Sequence, residues 1–312
     1  MNPARQKLPR LKRGALVLFV FVACVVGPAS GTAEHVLKCV VSIPPLASVV
    51  ENIGGSRVSV SVLVSGGQDP HTFELTPGQV RTLIDADILF TVGLPFESTI
   101  VSRFQGSNNR PRLCDTSQGL KLIEAGHLHR EALKGHAEVD RHTWLSPKNL
   151  ESIAVSIRKA MTSADPGGAR IYNEGTAQFI RKLENVNAVN LKALSPLAGK
   201  AFTVFHPSFG YFAEAYNLEQ RAVETGGKPP TPRELFRLIS RSRLQGERVL
   251  FVQPQFDQKS AEAIAAAIGA DVRTLDPLAR DVLANLETIG REISRALSGK
   301  TNQLRRQGEK HE

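Results

Sequence analysis

Four short segments carry the residues best suited to holding a metal ion. Asp69-Pro70-His71-Thr72-Phe73-Glu74, Arg141-His142-Thr143-Trp144-Leu145-Ser146-Pro147 and Phe205-His206-Pro207-Ser208-Phe209-Gly210-Tyr211 each set a histidine beside a turn that contains proline, and Leu275-Asp276-Pro277-Leu278 adds a carboxylate. Imidazole and carboxylate are good donors for a borderline first-row cation, and His71, His142, His206 and Asp276 together would fill the tetrahedral shell that zinc prefers. Asp69 reads as a turn cap. Glu74 fits two roles equally, a support for the second ring nitrogen of His71 or a further turn residue.

A lone histidine is more often structural or simply exposed than a ligand, so the weight rests on placement. His71 follows the second strand pattern, His206 ends the strand 201–205 and Asp276 ends the strand 271–275. Ligands of open α/β sheets collect just beyond the carboxyl ends of strands, and three of the four candidates occupy that position. His142 lies between a loop and a helix that starts near Ser146. Pro70, Pro207 and Pro277 stiffen these turns and reduce the entropy lost when ligands are fixed. As ordinary turn prolines they would say nothing about a metal, and Asp-Pro is in any case a common turn opener.

The elements that must position these residues are legible as alternation. Short β-branched runs at Val36 to Ile43, Val58 to Val64, Asp87 to Val92, Lys200 to Phe205, Arg248 to Gln253 and Asp271 to Leu275 are separated by helix-length segments. That order predicts an α/β fold of two βαβ lobes with mainly parallel sheets. Thr76-Pro77 and Thr231-Pro232 each supply a capping hydroxyl followed by proline at the first helical position. Apolar residues follow both threonines at offsets of four, seven and eight, an internal echo that fits two similar lobes and equally fits any two amphipathic helices. Between the lobes, Tyr172, Phe179, Leu183, Val186, Val189 and Ala193 keep helical spacing, predicting one rigid helix about 40 Å long. The expected division is an N-terminal lobe over 34–165, a connecting helix over 166–195 and a C-terminal lobe over 196–312. Glu124 to Arg141, with His127, His129 and His136 among acidic residues, reads as a polar surface insertion that offers auxiliary metal capture only as a secondary role.

Residues 1–33 stand apart. Arg5, Lys7, Arg10, Lys12 and Arg13 precede the apolar stretch Ala15 to Ala23, which is too short to span a bilayer, and small residues follow. This is the pattern of an export signal, with cleavage near Thr32 or Glu34 and a periplasmic destination. Cys24 raises lipoprotein anchoring as the alternative, against which stands Phe21 where leucine is usual. Of 39 basic residues against 30 acidic, five lie in the signal, so the remainder balances at 34 to 30 and leaves no nucleic-acid footprint. Cys39 and Cys114 fall in separate strand runs, and the sequence leaves their pairing open.

The segments Asp69 to Glu74, His142 to Pro147, His206 to Tyr211 and Leu275 to Leu278 resemble the signatures of the metal-specific solute-binding proteins of ATP-binding-cassette importers, the group that serves zinc and manganese. Ser42-Ile43-Pro44-Pro45-Leu46 and Pro254-Gln255-Phe256 extend the resemblance over nearly all of the chain after the signal. It implies two lobes joined by one helix, with the metal in the cleft between them. His71 and His142 would come from the first lobe and His206 and Asp276 from the second. Manganese members commonly carry Glu at the place of His206, and three imidazoles suit zinc better. Three positions depart from the pattern: Arg141 replaces a usual Pro, Ser146 a usual Asp, and Gln253 a frequent Glu.

The expected function is therefore a zinc carrier, a monomer that captures Zn2+ outside the inner membrane and delivers it to its cognate ABC permease, without catalysis and without nucleic acid. The chain holds no Gly-x-Ser-x-Gly elbow, phosphate loop or His-Glu-x-x-His pair. The alternatives are a manganese- or iron-binding homologue and an exported zinc hydrolase with water in the fourth position and Glu74 as base. An adhesin on the same fold would need the ligands to be incidental. Asp276 separates carrier from hydrolase: bound to zinc, it closes the site.

Overall fold

The computed structural model describes residues 36–105, 111–124, 139–224, 231–245 and 248–299. The expected export signal at 1–33, with Cys24, and the histidines at 127, 129 and 136 lie outside them. The described chain forms two four-stranded sheets, both wholly parallel. The first contains β1 (Leu37–Val41), β2 (Val58–Val62), β3 (Ile88–Thr91) and β4 (Arg112–Asp115) in the order β2-β1-β3-β4. The second contains β5 (Ala201–Val204), β6 (Glu219–Ala222), β7 (Val249–Val252) and β8 (Asp271–Thr274) in the equivalent order β6-β5-β7-β8. The echo seen around the two threonines is thus matched by two sheets of one topology.

Strand residues alternate between two apolar layers, as a sheet covered on both faces requires. In β1, Leu37, Cys39 and Val41 face one cluster while Val40 faces another; in β7, Val249 and Phe251 face inward and Leu250 and Val252 outward. The outer faces are covered by α2 (Pro77–Ile84) and α3 (Glu97–Phe104) on the first sheet, and by α7 (Pro232–Gln245) and α8 (Gln258–Ile268) on the second. Thr76 caps α2 as its sequence suggests, its hydroxyl accepting from Gln79 N–H at 3.3 Å while the Gln79 side chain accepts from Thr76 N–H at 3.0 Å. Asp257 caps α8 by accepting from the Lys259 and Ser260 N–H groups, without the reciprocal bond.

The inner faces share one core. It runs from Val41 and Phe90 of the first sheet through Tyr172, Phe179 and Leu183 to Phe202 and Phe251 of the second. Its axis is α5 (Ala169–Leu194), 26 residues long, which packs on α1 (Pro44–Gly54) and α4 (Pro147–Ala164) from the first lobe and on α9 (Val282–Leu297) from the second. Two glycines allow the close crossings. A Cβ on Gly175 would strike the Ile53 carbonyl of α1, and a Cβ on Gly290 of α9 would strike the Asn190 side chain of α5. Asn190 donates in turn to the Leu286 carbonyl of α9 at 2.9 Å. A helix packed into both lobes this closely is a brace, unlike a Gly/Ser linker. Cys39 and Cys114 are both free; they stand on β1 and β4 with β3 between, two strand spacings or about 10 Å apart, beyond disulfide reach.

Candidate metal centre

Three loops are shaped by the same local device. In each, an aspartate carboxylate accepts the backbone N–H two residues on: Asp69 from His71 at 2.9 Å, Asp140 from His142 at 2.8 Å and Asp276 from Leu278 at 2.9 Å. The short side chain closes the turn on its own backbone, and proline between the two residues of the first and third turns costs no donor. Asp69 is therefore a turn cap.

The first two turns and the loop after β5 bring His71, His142 and His206 together. One ring nitrogen from each lies within 4.8 Å of the others, the single such cluster of His, Cys, Asp or Glu among the described residues. Ring centroids are 5.1 Å apart for His71 and His206, 5.7 Å for His142 and His206, and 6.4 Å for His71 and His142. Tetrahedral zinc at its usual bond length holds nitrogens about 3.4 Å apart, so a closing of little more than 1 Å would complete a three-nitrogen face.

Two of the rings are oriented by buried carboxylates. His142 Nδ1 lies 2.8 Å from Asp140 Oδ1, and His206 Nδ1 lies 2.5 Å from Glu224 Oε2. A carboxylate only accepts, so Nδ1 carries the proton on both rings and Nε2 is left as the donor atom. Asp140 and Glu224 are 5% and 8% exposed, which gives these hydrogen bonds little competition from water. His206 also stacks on Phe256, with centroids 4.6 Å apart and planes at 22°. Its backbone is pinned by Gln253, whose Oε1 accepts from His206 N–H at 3.2 Å while its Nε2 donates to the His206 carbonyl at 2.6 Å. An ionised glutamate there could make only the first bond, so the two-sided hold on His206 is particular to the amide of Gln253. Ser146 likewise takes over a capping task, accepting from Asn149 N–H at 3.4 Å at the start of α4.

Asp276 is not part of the mutually close cluster. Its Oδ1 accepts from Gln255 Nε2 at 2.8 Å as well as from Leu278 N–H, and Gln255 stands at the cleft wall with Pro277 and Leu278. Glu74 is exposed and does not line the cleft. Behind the histidines, fully buried Trp144 donates to the Pro277 carbonyl at 2.7 Å, a direct tie between the lobes. The far wall includes Leu94, in a loop after β3 that wraps its Val92, Gly93 and Leu94 N–H groups around the buried Glu97 carboxylate at 3.2, 2.7 and 2.8 Å. Gly93 takes φ +84° there, a conformation costly for any side chain.

The cleft has a free volume of about 20 Å³, room for one water-sized species. Sites for organic ligands are at least about tenfold larger. A cavity of about 380 Å³ does exist, lined by Lys200, Arg221 and Arg248, but it opens at the starts of β5 and β7. Parallel sheets bind ligands at the opposite ends of their strands, where the histidines are, so the smaller cleft is the candidate site. Asp140 and Glu224 were not among the residues picked out by the sequence. The Asp-x-His spacing shared by Asp69-His71 and Asp140-His142 was an available signal for the first; Glu224, 18 positions from its histidine, had none.

Comparison with known proteins gives the family and the fold. The sequence profile described as "ZnuA: Zinc-uptake complex component A periplasmic" matches residues 39–289. The "High-affinity zinc uptake system protein ZnuA" of Paracoccus denitrificans (strain Pd 1222) is 27% identical over 295 residues, covering 81% of this chain and 89% of that protein. A crystal structure of ZnuA superposes with a TM-score of 0.77 at 38% identity, covering 84% of this chain and 100% of the other. A ZnuA deletion mutant with zinc bound gives 0.76 at 38% identity, covering 84% and 98%. With most of its length matched by that profile and its fold shared with those structures, the chain belongs to the ZnuA family of zinc-uptake components.

Proposed function

We propose that this protein captures one Zn2+ between His71, His142 and His206, with Asp276 as the fourth ligand, and passes it to an ABC permease in the inner membrane. The observation that carries the ligand assignment is the convergence of three imidazole nitrogens within 4.8 Å in a cleft with room for little more than an ion. Asp276 would close the shell through Oδ2, the oxygen that neither Gln255 nor Leu278 engages. A closed four-ligand shell leaves zinc no water to activate, and the exposed Glu74 is badly placed to serve as a base, so the reading is of a carrier without catalysis. One chain supplies every donor, which makes a monomer sufficient. Residues 1–33 would direct export to the periplasm, with 34–165 and 196–312 acting as lobes around the tie at 166–195.

Native mass spectrometry with elemental analysis of the purified mature protein should find one zinc per chain. His206→Ala should weaken binding by about 100-fold or more, since it removes roughly a quarter of a binding free energy on the order of 10 kcal/mol. Wild-type affinity for that variant in isothermal titration would refute the ligand set. Asp276→Ala is read separately: unchanged affinity would leave three histidines and a water as the shell.

A further inference from the structure

The His142 side of the cleft is held from the opposite lobe. Ile123 and Asp140 face each other at the base of the 124–139 segment: Asp140 N–H donates to the Ile123 carbonyl at 2.9 Å, and Glu124 and Val139 form an antiparallel bridge beside them. The reciprocal bond of this pair is replaced by a side chain. Tyr211, in α6 (Gly210–Ala215) of the second lobe, accepts from Ile123 N–H at 3.1 Å and donates its hydroxyl to the Asp140 carbonyl at 3.0 Å. Tyr211 is 3% exposed, so water is a poor substitute for either bond. Next to it, Gly210 presses on the same residue, since a Cβ there would come within 2.7 Å of Asp140 Oδ2. Asp140 then holds His142 twice, by its backbone N–H and by its ring.

We propose that Tyr211 is a positioning residue for the zinc site: from the second lobe it fixes Asp140, and through Asp140 the ring of His142, so a first-lobe ligand is correctly posed only while the second lobe is seated against it. The inference rests on the assignment of His142 as a ligand. Losing the hydroxyl leaves two backbone groups of a buried turn without their partner, and the turn they belong to is the one that aims the imidazole.

Zinc affinity by competition with a chromogenic chelator, together with the visible absorption spectrum of the cobalt-loaded protein, tests this in wild type, Tyr211→Phe, Asp140→Ala, the double variant and His142→Ala. Tyr211→Phe should weaken zinc by about tenfold and alter the cobalt bands, which a loss of stability alone would not do. In the Asp140→Ala background, where the acceptor of both His142 bonds is gone, the same substitution should cost little more, because Tyr211 acts on the ring only through that residue. Wild-type affinity and spectrum in Tyr211→Phe, with binding lost in His142→Ala, would overturn the inference and leave the site intact; losses that simply add in the double variant would overturn it too. Wild-type binding by His142→Ala would instead overturn the ligand assignment. If Tyr211→Phe does not fold, Gly210→Ala decides, since it keeps the hydroxyl and disturbs Asp140 by contact: weakened zinc with altered cobalt bands supports the relay, and unchanged binding removes it.

Discussion

Replacing Glu224 separates the charge of a supporting carboxylate from its hydrogen bond. Glu224 Oε2 is 2.5 Å from His206 Nδ1, and both residues are buried, at 8% and 7% exposure. Glu224→Gln keeps an oxygen able to accept from Nδ1–H, so the tautomer and the ring pose survive while the negative charge behind the imidazole is lost. That places the effect at the lower end of the range for residues supporting metal ligands, about tenfold in zinc affinity or about 1.4 kcal/mol. Glu224→Ala removes the acceptor as well. Nδ1–H is then buried without a partner, which costs about 1–3 kcal/mol in the zinc-free protein and frees the ring to turn, so zinc affinity should fall by about 100-fold. Competition titration against a chelator of known affinity measures both values, and thermal melting of the zinc-free forms measures the stability cost. The decisive outcome is their order: if Glu224→Ala binds zinc as tightly as Glu224→Gln, the carboxylate does not orient His206 and the reasoning fails.

Two further predictions concern the scaffold. Gly290→Ala should destabilise the protein by about 1–3 kcal/mol, because the new methyl group overlaps Asn190 at the α5–α9 crossing; an unchanged melting temperature would mean that this crossing does not brace the second lobe. Glu97 gives a pH signature: burial pushes its carboxyl up to about 7 from its ordinary 4.5, outweighing three backbone N–H bonds that favour the ionised form. A raised carboxyl pKa contributes stability that is full below about pH 4.5 and lost as pH rises through about 7. Wild type should therefore lose ground to Glu97→Gln between pH 5 and pH 8, by up to on the order of 3 kcal/mol in denaturant unfolding of the zinc-free proteins. A stability difference between the two that does not vary with pH would refute this.

Closely spaced local cues were enough to place most of the scaffold. The runs around Leu37, Ile88, Phe202 and Leu250 became central strands because buried parallel strands need continuous apolar sequence, while the edge runs around Val58 and Val272 were marked only by their β-branched residues. Edge strands escape it. β6, with the sequence Glu219-Gln220-Arg221-Ala222, pairs on one side only and carries polar side chains, so no apolar run marks it. Thr76 with Gln79 and the 3.6-residue spacing of α5 were legible for the same reason, each being an interaction within one turn or one helix face.

The three histidines were legible because each sits in a turn whose chemistry lies within three residues of it. Their convergence was not, since it depends on two sheets being set on one brace, and the brace on glycines at 175 and 290 whose role appears only where helices cross. Nor was the support behind the rings. Glu224 reaches His206 because β6 lies beside β5, and Tyr211 reaches Asp140 because the lobes meet there. Asp276 shows the same limit from the other side: its residue type and Asp-Pro turn were clear from the sequence, but that Gln255 holds its Oδ1 is a fact of packing. Residue type and local spacing fixed which side chains have metal-binding chemistry; contacts between distant segments decided which nitrogen each ring presents and how far apart the donors stand.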